Sequence, residues 1–224
     1  TDQTYAIFRN HTYLPLPVEV VTLNGQQDPL AFEGMESEST AMIEVLLAIE
    51  NILEPPNASS QNKPRMVALL GGYGSNRGTQ LKSIAWHTLQ DALDPTTPRF
   101  TLPVYVDLET LDAAELAQEA SLSNLVIRSL LPFWPAHARR QLDSLLEGST
   151  PQVRVIFDNL ETLQPEHHIV VCRHIRQLAE RYPQHQFILG SSPGAFNSKY
   201  FSGLDVHVLV LRNLGRRRIR HFLQ

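Results

Sequence analysis

Cysteine is almost absent. Cys172 stands alone in 224 residues, which excludes an intrachain disulfide and gives weak support to a reducing compartment, so the expected location is cytoplasmic. Long apolar runs are missing too. No stretch approaches the ~18 apolar residues of a membrane-spanning helix, and no signal peptide opens the chain, so no membrane partner is expected. Positive charge is not in excess: 19 Lys and Arg against 23 Asp and Glu give a net charge of −4, which argues against a general polyanion binder. There is no G-x-S-x-G elbow, and Cys172 falls mid-way along a helical pattern, so no nucleophile constellation emerges. Internal repeats and low-complexity tracts are lacking as well. What remains is a chain 42% hydrophobic, enough to bury a sizeable core in one domain with an appendage.

The most informative stretch is 65–91, R-M-V-A-L-L-G-G-Y-G-S-N-R-G-T-Q-L-K-S-I-A-W-H-T-L-Q-D. An apolar run (66–70) meets a loop rich in glycine (Gly71, Gly72, Gly74, Gly78), and a helical pattern follows with Leu81, Ile84, Ala85, Thr88 and Leu89 on one face. Strand, flexible loop and helix together suit a phosphate, because backbone N–H groups and a helix N-terminus converge on one anion. The loop departs from the usual G-x-x-x-x-G-K-S/T. Aligned on 71–78, the second glycine is Asn76, the lysine is Arg77 and the magnesium-binding hydroxyl is Gly78. The residues such a loop would offer a nucleotide are Gly71, Gly74, Ser75, Asn76, Arg77, Gly78 and Thr79. Thr79 supplies a magnesium hydroxyl if the loop shifts register, whereas Lys82-Ser83 is a decoy inside the helix.

Around this stretch the patterns alternate between strand and helix, which implies an α/β sandwich on a mostly parallel sheet. Short β-like runs at 5–8 and 18–23 belong to residues 1–30, read as an arm or the tail of a preceding domain; residues 31–224 form the core. A helix is expected over 36–53, closed by Pro55-Pro56, and a polar linker over 57–64. Strands are expected at 100–108, 153–157, 186–189 and 206–211, with Pro103 suited to an edge. Helices are expected at 113–131, 136–147 and 165–181, the last with Ile169, Val171 or Cys172, Ile175, and Leu178 or Ala179 inward, and at 214–224. Thr at position 1 and a helical pattern reaching Gln224 suggest a fragment of a longer protein.

A second candidate is V-R-V-I-F-D-N-L-E (153–161), with Arg154 as its one polar intruder. An apolar strand that delivers a carboxylate at its C-terminal edge holds magnesium, through water, opposite a phosphate loop. Asp158 would be that metal-side carboxylate and Glu161 a second acid that polarises water; the plainer role for Asp158 is to cap the loop. A third is F-I-L-G-S-S-P (187–193). There Ser191 or Ser192 either senses a γ-phosphate through its hydroxyl or forms the turn before Pro193. His168, Cys172 and His174 lack a second ligand pair at metal spacing and read as ordinary helix residues. The basic run Arg216, Arg217, Arg218 and Arg220 is either a solvated helix face or a contact for nucleic acid or an acidic partner. Trp86 reads as a core or interface aromatic, and Tyr73 as a cover for the loop.

The order of these segments resembles the STAND class of P-loop NTPases, which includes NACHT and NB-ARC modules. F-E-G-M-E-S-E (32–38) looks like the F-x-G-R-x-x-E box that precedes their core. Residues 69–81 look like Walker A, V-I-F-D-N-L-E like the L-V-L-D-N-L-E form of Walker B, and F-I-L-G-S-S-P like the sensor strand that usually ends Thr-Ser-Arg-Pro. Residues 206–223 look like the last core strand and its following helix. The resemblance covers about residues 31–223. It implies a three-layer P-loop sandwich with five core strands in the order 5-1-4-3-2, ATP or ADP with magnesium as the cofactor, and protein partners or self-assembly through flanking domains.

The departures share a theme. Met35 stands for the box arginine, Arg77 for the Walker lysine, Gly78 for the hydroxyl and Ser192 for the sensor arginine. Losing charges that act on the transition state removes orders of magnitude in rate, so the expectation is a degenerate switch or assembly scaffold in a signalling or defence protein. Hydrolysis would be weak or absent, and even nucleotide binding is not assured. Two rivals stay open. One is an atypical ATPase that works through Arg77, Thr79, Asp158 and Glu161. The other is an AAA+-like pseudo-ATPase subunit of a replication or transposition assembly, with the basic run on DNA.

Overall fold

The computed structural model describes residues 17–21, 43–53, 65–94, 96, 100–110, 144, 146–148 and 151–211. The box around Met35, the run at 5–8, nearly all of the helices expected at 113–131 and 136–147, and the basic run Arg216–220 lie outside the described residues.

Among the described residues, seven strands form one sheet: β1 (Pro17–Val21), β2 (Ile43–Glu44), β3 (Arg65–Leu70), β4 (Thr101–Asp107), β5 (Gln152–Asp158), β6 (Gln186–Ser191) and β7 (Asp205–Leu211). Their order is β2-β1-β7-β3-β6-β5-β4. The five from β3 to β7 are mutually parallel, and counted along the core alone their order is the expected 5-1-4-3-2. β1 then adds antiparallel to β7, and β2 antiparallel to β1. The segment read as an arm thus contributes a strand to the sheet. β4, carrying Pro103, is the outermost strand at the other end of the described sheet, as a residue without an N–H requires.

Helices on both faces account for the near-continuous apolar runs of the central strands, since a parallel sheet is buried on both sides. Side chains alternate between the faces with a period of two. Val67, Leu69, Ile156, Ile188 and Leu209 meet Ala48, Ile49 and Leu53 of α1 (Val45–Leu53) and Leu81 and Ile84 of α2 (Arg77–Leu93). Met66, Ala68, Leu70, Val155, Phe157, Phe187 and Leu189 meet α3 (Pro165–Arg181) through Val171, Cys172, Ile175, Leu178 and Ala179. This is a three-layer α/β sandwich on a sheet whose five core strands are parallel.

Two expectations need correction. Ile43 and Glu44, expected inside the helix over 36–53, are strand instead: they pair with β1, and α1 starts at Val45, residues 36–42 lying outside the described residues. The free edge of β1 gives those two residues ladder bonds that the first turn of a helix would lack. Ile169 does not face inward but is 43% exposed, because it lies about 120° around the helix from the centre of the buried stripe. His168 takes the inward place, with its Nε2 3.0 Å from the Leu163 carbonyl.

Arg154, the polar residue in the apolar β5, has a structural explanation. It donates from Nε to Gln186 Oε1 at 2.7 Å, and from Nη1 to Thr88 Oγ1 at 2.7 Å and to Glu50 Oε1 at 2.6 Å. A second bond runs from Nη2 to Glu50 Oε2 at 3.1 Å. Gln186 in turn donates to the Leu53 carbonyl. One buried guanidinium therefore ties α1 and α2 to β5 and β6, with its donors satisfied as burial demands.

Candidate nucleotide-binding site

The loop between β3 and α2 sits at the C-terminal edge of the central strand, where open parallel sheets place their ligands. Its backbone is fastened at both ends: Gly71 N donates to the Ser191 carbonyl at 3.0 Å, and Ser75 N to the Gly72 carbonyl at 3.1 Å. Gly71 is required by this closure, since a Cβ there would stand 2.3 Å from Ser75 Oγ. Gly74 and Asn76 both have positive φ, 78° and 61°. Position 76, which the motif reserves for glycine, is thus a left-handed residue, and asparagine tolerates that conformation. The substitution keeps the shape of the loop.

Helix α2 begins at Arg77 without a side-chain cap from Asn76, so its first N–H groups have no intrahelical acceptor. Thr79 does not turn toward a metal position. Its hydroxyl donates to Asn76 Oδ1 at 2.6 Å, on the exposed side. The next residue, Gln80, is buried and its Nε2 has no hydrogen-bond partner. Tyr73 is fully exposed and does not cover the loop.

Arg77 is buried at the centre of the site, only 7% exposed. Its Nε donates to Asp158 Oδ1 at 3.1 Å and its Nη1 to the Gly71 carbonyl at 3.2 Å. Its Nη2 donates to Glu161 Oε1 at 2.5 Å and to Asn159 Oδ1 at 3.3 Å. Glu161 continues the chain by accepting from Ser192 N through Oε2 at 3.1 Å. The planar fork of arginine makes this possible, because a lysine ammonium has no such set of diverging donors. Arg77 therefore joins the loop, the end of β5 and the end of β6.

Both oxygens of Asp158 are engaged. Oδ1 accepts from Arg77 Nε and from the Asn159 backbone N–H at 2.8 Å, and Oδ2 accepts from the Tyr105 hydroxyl at 2.7 Å. Burial, reinforced by the Asp158 carboxylate, pushes the Tyr105 phenol far above its ordinary value, so it stays a proton donor. Lys82 lies over the same ring, 5.8 Å from its centre. Gly78 makes room for Asp158, since a Cβ there would be 3.1 Å from Oδ2. Gly190 makes room on the other side, where a Cβ would stand 2.6 Å from Oδ1 and 2.3 Å from Leu81 Cδ1.

Magnesium fails this donor set. Both Asp158 oxygens are engaged, the loop hydroxyl is replaced by Gly78, and Thr79 faces away. Among the described residues no group of three His, Cys, Asp or Glu could hold a metal ion. The loop backbone and the uncapped helix keep the shape expected of a phosphate loop, while its one cation, Arg77, is turned onto carboxylates.

Of the residues singled out from the sequence, Gly71, Arg77, Gly78, Asp158, Glu161 and Ser192 converge here, Ser192 through its backbone. The Ser191 hydroxyl donates to the Ser192 carbonyl at 3.0 Å, a local turn contact. Tyr105, Asn159 and Gly190 were missed. Asn159 has a positive φ of 66°, and its amide also donates to Asp107 Oδ1 at 2.9 Å. A glycine inside the apolar F-I-L-G was the one readable signal among them.

No protein-family model matches the sequence, and no curated protein matches it. Solved structures are similar at low identity. A chain in the structure of C. elegans PCH-2 is 16% identical with a TM-score of 0.44, over 76% of this chain and 41% of its own length. A chain in the structure of Drosophila ORC bound to poly(dA/dT) DNA and Cdc6 is 14% identical with a TM-score of 0.47, over 73% of this chain and 28% of its own length. This chain spans less than half the length of either. Among the described residues, no helix is long and apolar enough to cross a membrane.

Proposed function

We propose that this chain is a degenerate, STAND-like P-loop module that acts as a conformational switch or assembly scaffold in a signalling or defence protein, without turning over ATP. The observation that carries this reading is the bonding of Arg77. Its guanidinium binds Asp158 and Glu161, the two acids that hydrolysis would need for magnesium and water. Transition-state stabilisation in phosphoryl transfer requires free positive charge near the γ-phosphate and a bound metal. Here the positive charge is neutralised within the protein, and the metal carboxylate is taken by Arg77, Tyr105 and the Asn159 N–H.

The strand order and the sequence of loop, acidic strand end and sensor-like strand support the STAND-like assignment. Thr79, on which an atypical ATPase would depend, is hydrogen-bonded away from Asp158, which weighs against that rival. The fold brings three segments together at one point, and a change in that junction would be felt by the loop, β5 and β6 at once. In this reading the module works through protein partners.

Steady-state phosphate release from ATP with magnesium tests the proposal. The expected result is no turnover above that of an Asp158→Asn variant. A rate in the unmodified protein that disappears in Asp158→Asn would overturn it.

A further inference from the structure

We infer that Asp158 and Glu161 act as a built-in competitor for the loop's arginine, and that the loop's ligand is a metal-free polyphosphate admitted only when that competition is relieved. The inference rests on the reading of the site as a non-hydrolysing phosphate loop and adds how it is regulated.

The geometry is that of a contest for one cation. Arg77 is buried and makes charge-assisted bonds to two carboxylates, one itself buried and one partly exposed. A third carboxylate, Asp107, is bonded to Asn159, which also accepts from Arg77. Acidic charge in the cluster thus exceeds basic charge, and a phosphate entering beside it meets net repulsion. The donors that favour a phosphate are nonetheless still in place. The first turn of α2 has no side-chain cap, and Gln80 in that turn has an amide without an acceptor. Anions are stabilised at such a terminus by oriented N–H groups and the helix dipole. Magnesium cannot tip the balance, because its usual carboxylate has both oxygens engaged.

Glu161 is the weaker half of the lock. Its side chain is 30% exposed, against 1% for Asp158, and it also holds Ser192 N, so its release would remove one of the two carboxylates on Arg77 and free the Ser192 N–H together. Whatever draws Glu161 away, whether a partner's cation or a shift of β6, opens the site to a nucleotide's phosphates.

Titration calorimetry with inorganic tripolyphosphate and with ATP, in EDTA, provides the test. Glu161→Gln keeps the side-chain shape and removes the charge; it should bind both probes about tenfold or more tightly than the unmodified protein. Adding Arg77→Ala should abolish the gain. Asp158→Asn is the second variant, with the same expected direction, and a thermal melt confirms that each variant is folded. Equal affinity of Glu161→Gln and unmodified protein, a gain that survives Arg77→Ala, or binding that appears only with magnesium would each overturn the inference. The underlying reading is tested separately by ATP turnover: equal affinity, or a gain that survives Arg77→Ala, would sink this inference and leave that reading untouched.

Discussion

Gly190 and Asp158 stand in adjacent strands so close that a single methyl group on the glycine would lie 2.6 Å from the carboxylate's Oδ1. The same methyl would press on Leu81 Cδ1 at 2.3 Å and lie 3.2 Å from Arg77 Nε. Gly190→Ala should therefore cost about 2–3 kcal/mol, since neither the buried carboxylate nor the helix can retreat without breaking other contacts. Urea unfolding monitored by circular dichroism reads this loss directly. A variant as stable as the parent would show that β6 can shift freely against α2.

Arg77→Lys keeps the charge but loses the fork. Three of the four hydrogen-bond acceptors around the guanidinium would be left with poor partners, which predicts a loss of about 2–3 kcal/mol in unfolding free energy. The substitution restores a motif residue, yet no ATP turnover should appear, because Gly78 still lacks the loop hydroxyl and Asp158 is still held by Tyr105 and the Asn159 N–H. A lysine variant that equals the parent in stability would show that the fork is dispensable.

For Arg154, the prediction is a coupling with Glu50. Arg154→Ala should destabilise by about 2–4 kcal/mol, and Arg154→Met by less, because the methionine fills the space without leaving a buried donor. Adding Glu50→Gln to Arg154→Ala should cost less than the sum of the two single effects. Additive losses in the denaturant midpoint would mean that the pair does not act as one unit.

Alkaline pH should weaken the fold. Burial pushes the Cys172 thiol up to about 12 from an ordinary 9.0, and Tyr105 rises above its ordinary 10.0. Both groups keep their protons in the folded chain after the unfolded chain has lost them. Stability attributable to them is therefore complete below the unfolded values and declines above about pH 9, by up to about 1.4 kcal/mol per pH unit for each titrating group. Cys172→Ala should flatten that slope when urea midpoints are compared between about pH 8 and pH 11. In the native protein at neutral pH, a thiol reagent should modify Cys172 only as the chain unfolds.

Much of the architecture was legible because buried parallel strands announce themselves. M-V-A-L-L, V-I-F and F-I-L are short apolar runs separated by helical patterns, and the strand order followed from a resemblance in segment order. The helix Pro165–Arg181 was legible to the residue, with proline opening it and the apolar stripe at helical spacing. The start of α1 was not, because whether 43–44 coil or pair depends on β1, a distant segment. In the site, Asp158 and Arg77 could be found by motif position, but what they do to each other could not. Asn76 looked like damage until its positive φ showed that the backbone was intact. Tyr105 gave no local signal, since a tyrosine in a strand is ordinary and its partner lies 53 positions away in sequence.

The pairing of β1 with β7 has a mechanical consequence. The register sets Val18 opposite Leu211 and Val21 opposite Val208, so the chain enters β1 and leaves β7 at the same end of the ladder. Tension applied between those two points loads the hydrogen bonds one after another instead of all together. Such a junction unzips at low force while the parallel strands beside it, loaded sideways through β3, stay seated. A pull from either flank would be spent on peeling β1 before it reached the strand that carries the loop.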